Sequence, residues 1–386
     1  MRILHTSDWH LGRTLHKVSL VDAQRSAMEQ IVRIAEDEGV DLVVVSGDVF
    51  DHAVPSAEAL ELLESTLSRL VGIAPTVVTA GNHDSLRRLG YGSRLFTERL
   101  FLRTRLDEIG RALTFADEHG QVRVYPIPYL HPETARHVLV DGPDQELPAT
   151  HMAVMTAAMR KVREDLASAG ESRSVVLAHA WVAGAAATDS ERDIAVGGLG
   201  TVASDVFTGV DYVALGHLHR PQEPSSPRPG TYLRYSGSPL RYSFSEAAQE
   251  KSVSIVELDA QGVRSVRERS IDQPRAMANL RGLMAELLDP QDFVEAVDAW
   301  VSVTVIDDRR PTQMWPRIQQ RFPHALLVRH EPAGGIRSAS GGSVREQKPS
   351  EVAGEFVKYV TNGEIRPDEA RAFDDAVQTV RSQEAS

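Results

Sequence analysis

Arg2-Ile3-Leu4-His5-Thr6-Ser7-Asp8-Trp9-His10-Leu11-Gly12 is a short apolar run that gives way to an acid and an imidazole two residues apart. A similar pattern follows at Leu42-Val43-Val44-Val45-Ser46-Gly47-Asp48-Val49-Phe50-Asp51 and at Thr76-Val77-Val78-Thr79-Ala80-Gly81-Asn82-His83-Asp84. Apolar, β-branched runs of this length read as strands buried on both faces. Between the first two, residues 20–38 place Leu20, Met28, Ile31, Val32 and Ala35 on one helical stripe, and Ser56 stands as the N-cap of a helix through Leu70. Strands alternating with helices define an α/β domain. Further strands are expected at 122–127, 174–178 and 211–215, and a closing meander at 232–235, 252–258 and 263–270.

Two later strands also end in polar residues. His179 follows Val175-Val176-Leu177-Ala178, and Gly216-His217-Leu218-His219 follows the run that ends at Leu215. Ligands bind outside the carboxyl ends of strands in α/β sheets, so five such clusters are expected to converge on one site. Gly47, Gly81 and Gly216 allow sharp turns where a β-carbon would clash. Asp8, His10, Asp48, Asn82, His179, His217 and His219 are too many ligands for one ion and suit two ions that share a bridging carboxylate. A single histidine after a strand is more often a hydrogen-bonded structural residue; five clusters in one chain point to a metal site.

Composition limits the chemistry. The 386 residues carry a formal charge of −12 and 42% hydrophobic residues, an ordinary globular balance. At this length a large and a small domain are expected. The absence of cysteine removes thiol nucleophiles, disulfides and sulfur-ligated metals. No apolar run approaches a membrane span and residues 1–8 enter a strand instead of a signal peptide, so a cytoplasmic protein without membrane contact is expected. The acidic balance argues against gripping nucleic acid by bulk charge, but not against local basic surfaces.

Residues 1–272 form the large domain in this reading. Residues 273–331 form a small α/β domain: helix 276–288, strand 300–306, helix 312–321 and strand 325–329. Gly and Ser dominate residues 332–348, which are expected to be a flexible linker. The tail, 349–386, carries two short amphipathic patterns with Phe356, Val357, Val360, Phe373, Val377 and Val380 at helical spacing.

The order Asp-x-His, Gly-Asp-x-x-Asp, Gly-Asn-His-Asp, His, Gly-His-x-His resembles the calcineurin-like metallophosphoesterases. The fuller strings at 2–12 and 46–51, together with Ala214-Leu215-Gly216-His217-Leu218-His219-Arg220 and Tyr235-Ser236-Gly237-Ser238-Pro239, resemble the bacterial SbcD family, over nearly the whole chain. That resemblance implies a β-sandwich flanked by helices, a small α/β capping domain that contacts DNA, and a C-terminal helical tail. It implies one metal on Asp8, His10, Asp48 and His219, and another on Asp48, Asn82, His179 and His217, with manganese favoured and magnesium possible. His83 is implied as the proton donor to the leaving oxygen, with Asp84 setting its tautomer. The activity implied is metal-dependent DNA hydrolysis: exonuclease on duplex ends, endonuclease on hairpins and single strands. It serves DNA replication, repair and recombination beside the nucleoid. Its implied partner is the ATPase SbcC, bound through the tail, with a homodimer of this chain inside a heterotetramer.

Between residues 87 and 111, seven arginines face three acids directly after the Gly-Asn-His-Asp motif. Arg87, Arg88 and Arg94 are candidate phosphate contacts, as are Arg13, His16 and Lys17 after the first motif; the alternative is a solvated face with internal ion pairs. Trp9 is expected to pack instead of stacking on a base. The tail has its own alternative, docking on the small domain. Rival functions are another calcineurin-like phosphodiesterase, against which stand the His52-Ala53 that follow Asp51 and the extra small domain and tail, and a non-catalytic DNA-end scaffold, against which stands the complete ligand set.

Overall fold

In the computed structural model two sheets lie face to face with helices outside each. The structure describes residues 1–95, 98–140, 142, 146–191, 200–225, 230–332, 366 and 369. The expected linker from residue 333 and the amphipathic tail fall, apart from Arg366 and Glu369, outside the described residues.

The first sheet has the order Gly262–Ser270, Ser252–Asp259, Arg2–Thr6, Leu42–Ser46, Thr76–Thr79, Leu100–Arg103, and its last four strands run parallel. The second runs Tyr232–Tyr235, Tyr212–Gly216, Arg173–His179, Gly120–Pro126, Leu113–Asp117. Leu42 and Val44 point into the core between the sheets, with Ile3, Val77, Val124, Val175 and Leu177. Val43 and Val45 point outward, against Met28 and Ile31 of the Val21–Glu38 helix and Leu62 and Leu67 of the Ala57–Ile73 helix. This two-sided burial is why the run is apolar at every position, and each such side chain contributes about 1.5–3 kcal/mol by leaving water. The outer face of the second sheet is covered by the His151–Ser168 helix through Val154, Met155, Ala158 and Val162. Ser56 Oγ accepts from the Ala59 amide at 3.2 Å, the expected cap.

A third sheet of three parallel strands, Met277–Gly282, Trp300–Val305 and Ala325–His330, packs its own core of Leu280, Val301, Val303, Ile318 and Phe322. Here the expected helix 276–288 is corrected. Met277, Leu280, Met284 and Leu287 are all buried and recur at helical spacing, yet residues 277–282 pair in register with Trp300–Val305. Gly282, a poor helix residue, ends the strand, and only Met284–Leu287 turns helical, with Glu286 accepting from the Leu283 amide at 2.8 Å. The chain divides into a unit of 1–306 with 311–330 and a second of 307–310 with 331–386.

Candidate metal centre

Every expected ligand leaves the carboxyl end of a strand. The loops after Arg2–Thr6 and Leu42–Ser46 are laced together: the Asp8 amide donates to Gly47 O and the His10 amide to Asp48 O, both at 3.0 Å. This lacing holds Asp8, His10 and Asp48 at φ of 54°, 45° and 49°, and His217 sits at 103°. Left-handed backbone at such residues costs on the order of 1–3 kcal/mol each, and persists where the surroundings over-determine it. Gly216 and Gly81 are required by proximity: a β-carbon would come within 2.0 Å of Ser46 O at the first and 2.1 Å of Asp48 Oδ1 at the second.

Asp48 Oδ2 lies 3.5 Å from His179 Nε2, 3.6 Å from His10 Nε2 and 3.9 Å from His83 Nε2. Asp48 Oδ1 accepts from the His83 amide at 2.8 Å, and Asp8 Oδ1 from the His217 amide at 3.0 Å. Three overlapping groups, Asp8 with His10 and His219, His10 with Asp48 and His83, and Asp8 with Asp48 and His179, each bring their ligand atoms within 4.8 Å of one another. Asn82 Oδ1 joins His179 Nε2 at 2.9 Å to His217 Nδ1 at 3.2 Å.

Outer contacts aim the rings. His179 Nδ1 is held by Ser46 O at 2.9 Å, His83 Nδ1 by Asp51 O at 2.7 Å and His219 Nδ1 by Ser190 Oγ at 2.6 Å; His10 Nδ1 lies 3.4 Å from Asp51 Oδ1. Their Nε2 atoms therefore turn inward, as in metal sites where an outer oxygen fixes each imidazole. His10 and His219 face each other with Nε2 atoms 3.0 Å apart, and His217 Nε2 is buried with no hydrogen-bond partner. Two carboxylates, an amide oxygen and converging ring nitrogens fit a pair of divalent cations.

Burial, with the neighbouring Asp48 charge, pushes the Asp8 carboxyl up, although the His179 and His219 rings oppose the shift. For Asp48 burial also acts upward, but His179, His10 and His83 outweigh it and hold the carboxyl well below the usual range. Burial acts to lower His179, and Asp48 overrides it to raise the ring to about 9, whereas burial drives His217 well below its ordinary value. The Asp48 carboxylate thus stays negative in a buried centre, where neighbouring imidazoliums offset its charge and a metal cation would do the same.

Asp84 does not have the place expected of it. Its carboxylate accepts the amides of Gly81, Phe50 and Val49 at 2.9, 2.9 and 3.0 Å, bracing the two loops against each other. The oxygen that holds His83 Nδ1 is the Asp51 carbonyl. The Arg13 guanidinium donates to Asp51 and to Ser190 O and lies 4.9 Å over the Tyr242 ring. His16 and Lys17, both exposed, form the tip of the Thr14–Leu15 and Val18–Ser19 hairpin. Arg87, Arg88 and Arg94 are exposed, with Arg88 donating to Ala53 O at 3.1 Å, whereas Arg103 and Arg105 pair with Glu108 and Asp107. Trp9 is fully buried and donates to Thr6 Oγ1 at 2.9 Å, a packing role as expected.

Sequence reasoning missed Asp51 as the hub behind His10 and His83, although it stands inside the quoted motif. It also missed Ser190, Glu191, Glu246 and Lys251. The Glu191 side chain accepts from the His219 amide at 2.8 Å, and Lys251 Nζ donates to the His219 carbonyl at 2.9 Å. Their signal is weak in sequence, because a buried acid and a buried lysine five residues apart look like any polar loop.

A calcineurin-like phosphoesterase family model matches residues 1–221, and the model of a type 5 capsule protein repressor C-terminal domain matches residues 273–361. The chain is 35% identical over 340 residues to the SbcD component of the SbcCD nuclease of Bacillus subtilis (strain 168), covering 85% of each. Two crystal structures align at a TM-score of 0.42. One is the protein TT1561 of Thermus thermophilus, at 14% identity over 70% of this chain and 99% of that one. The other is a dimetal phosphatase from Danio rerio, at 13% identity over 71% of this chain and 99% of that one. Among the described residues no helix is long and apolar enough to cross a membrane.

Proposed function

The chain belongs to the calcineurin-like phosphoesterases and, among them, to the SbcD nuclease subunits, and from that premise we propose that it hydrolyses DNA phosphodiester bonds in complex with an SbcC-type ATPase. The observation that carries this reading is the Asp48 carboxylate facing the inward nitrogens of His10, His83 and His179. Asp8, His10, Asp48 and His219 would hold one divalent ion and Asp48, Asn82, His179 and His217 would hold the other, with Asp48 common to both sets. The chemistry supplied by the ion pair when bound is Lewis-acid stabilisation of the phosphoryl oxygens and activation of water for attack. An oxygen and imidazole ligand set suits manganese or magnesium, and the family favours manganese.

His83 belongs to neither ligand set, although its Nε2 lies 3.9 Å from Asp48 Oδ2. With Nδ1 anchored on the Asp51 carbonyl, its protonated ring presents Nε2–H to the site and gives that proton to the leaving oxygen. Arg87, Arg88 and Arg94 supply exposed charge for the phosphate backbone. Residues 273–331 act as a capping domain over the substrate, residues 332–348 as a linker, and the tail from residue 349 docks on the ATPase. The working unit is a homodimer of this chain within a heterotetramer, acting on cytoplasmic DNA. End-labelled duplex and hairpin DNA, incubated with the purified chain and manganese, with and without SbcC and ATP, test the reading. Metal-dependent cleavage is expected on frayed or single-stranded DNA by the chain alone, and on duplex ends with partner and ATP. No cleavage under any of these conditions would overturn it.

A further inference from the structure

On the side of His219 turned away from His10 lies a relay of buried polar side chains. His219 Nδ1 is 2.6 Å from Ser190 Oγ, the Ser190 hydroxyl donates to Glu246 Oε1, and Glu246 Oε2 accepts from Lys251 Nζ. Glu246 and Lys251 are 0% and 1% exposed. Lys251 Nζ also donates to the His219 carbonyl at 2.9 Å and to Ser238 Oγ at 3.0 Å, so its three protons are all placed. A buried ion pair is weak support for stability, because desolvation offsets most of the attraction.

The partner of His219 differs in kind from those of its neighbours. His179 and His83 each lean on a backbone carbonyl, which only accepts and so fixes the proton on Nδ1. A serine hydroxyl both donates and accepts, and by itself leaves the tautomer open. Glu246 removes the ambiguity. Its carboxylate, held anionic by Lys251, is a stronger acceptor than the Thr188 hydroxyl 2.8 Å from Ser190 Oγ, so it takes the serine proton. Ser190 is then left to accept from His219 Nδ1–H.

We propose that Lys251, Glu246 and Ser190 form a positioning relay that sets the His219 proton on Nδ1 and keeps Nε2 as an electron pair turned toward the metal centre. The inference rests on the reading of His219 as a metal ligand.

Full-length wild type, Glu246→Gln, Ser190→Ala, Ser190→Thr and His219→Ala are titrated calorimetrically with manganese chloride. The His219 tautomer is read by nitrogen–proton correlation spectra of ring-labelled, metal-free protein. In Glu246→Gln the amide oxygen stays on Lys251 and its NH2 donates to Ser190, which turns the serine proton onto His219 Nδ1 and drives the ring proton to Nε2. Affinity for one of the two ions should fall about 10- to 100-fold, as it should in Ser190→Ala, and Ser190→Thr should restore it. Wild-type manganese affinity in both Glu246→Gln and Ser190→Ala would overturn the relay, as would a wild-type His219 tautomer in Glu246→Gln. Should Glu246→Gln fail to fold, the Ser190→Ala and Ser190→Thr pair decides by affinity alone. His219→Ala separates the two levels. Two ions bound as in wild type would overturn the ligand reading itself; loss of one ion there, with both retained in the relay variants, would overturn only the relay.

Discussion

His83 and Asp48 meet through the His83 amide and at 3.9 Å between ring and carboxylate, yet their substitutions should separate chemistry from metal binding. His83→Asn leaves both proposed ligand sets intact and removes a proton donor whose kind contributes roughly 10²- to 10⁴-fold. Cleavage should therefore slow by about 100-fold or more while manganese occupancy, measured on the same sample, stays at two. Occupancy falling with activity would make His83 a ligand. Gly216→Ala tests the close approach of the loops, since the new β-carbon meets the Ser46 carbonyl oxygen. It should lower stability by about 1–3 kcal/mol in denaturant unfolding, the usual range for an overpacked core; an unchanged midpoint would contradict the crowding. The proposed ligands are legible in the sequence because each stands at a strand end and their order is specific. Asp84 is not, because adjacency in sequence does not give adjacency in space. In the turn that aims His83 at the site, the next carboxylate instead accepts the amides of the neighbouring loop.

Among the elements, the buried strands are the easiest to read, because parallel strands covered on both faces have no polar register to confuse. The Met277–Gly282 strand misleads for the opposite reason: its apolar residues continue a helical spacing into residues 284 and 287, and only pairing with Trp300–Val305 decides between the two. Local pattern does not encode that partner. One pH-sensitive tie between elements joins the end of the Val21–Glu38 helix to the Gly262–Ser270 strand. A hydrogen bond from Arg267, with Arg269 beside it, overcomes burial and holds the Glu38 carboxyl at about 2, against an ordinary 4.5. Its folded value is the lower one, so the stabilisation is fully present above pH 4.5 and is lost as pH falls toward 2. Glu38→Gln should lower Tm at neutral pH and lose less further Tm than wild type on acidification through this window. Melting curves that shift in parallel at every pH would contradict the tie.

Across the whole molecule, catalysis and partner binding are expected to separate. Deleting residues 349–386 removes the amphipathic patterns at 350–360 and 367–380 but none of the residues around the metal centre. The shortened chain should keep manganese-dependent cleavage of frayed or single-stranded DNA and lose affinity for SbcC, since a few apolar anchors usually dominate a helix-in-groove contact. Titration at fixed salt reads that affinity; an unchanged value would refute docking through the tail, and a large drop in Tm would favour packing on the small domain. In the proposed centre, Asp48 is the carboxylate that two ions would share. The most direct test of this sharing is Asp48→Asn in the full chain, assayed with labelled DNA and excess manganese alongside direct metal counting. The variant should be folded, with wild-type Tm in metal-free buffer, both ions weakened and cleavage abolished. Two tightly bound ions and wild-type cleavage would contradict it.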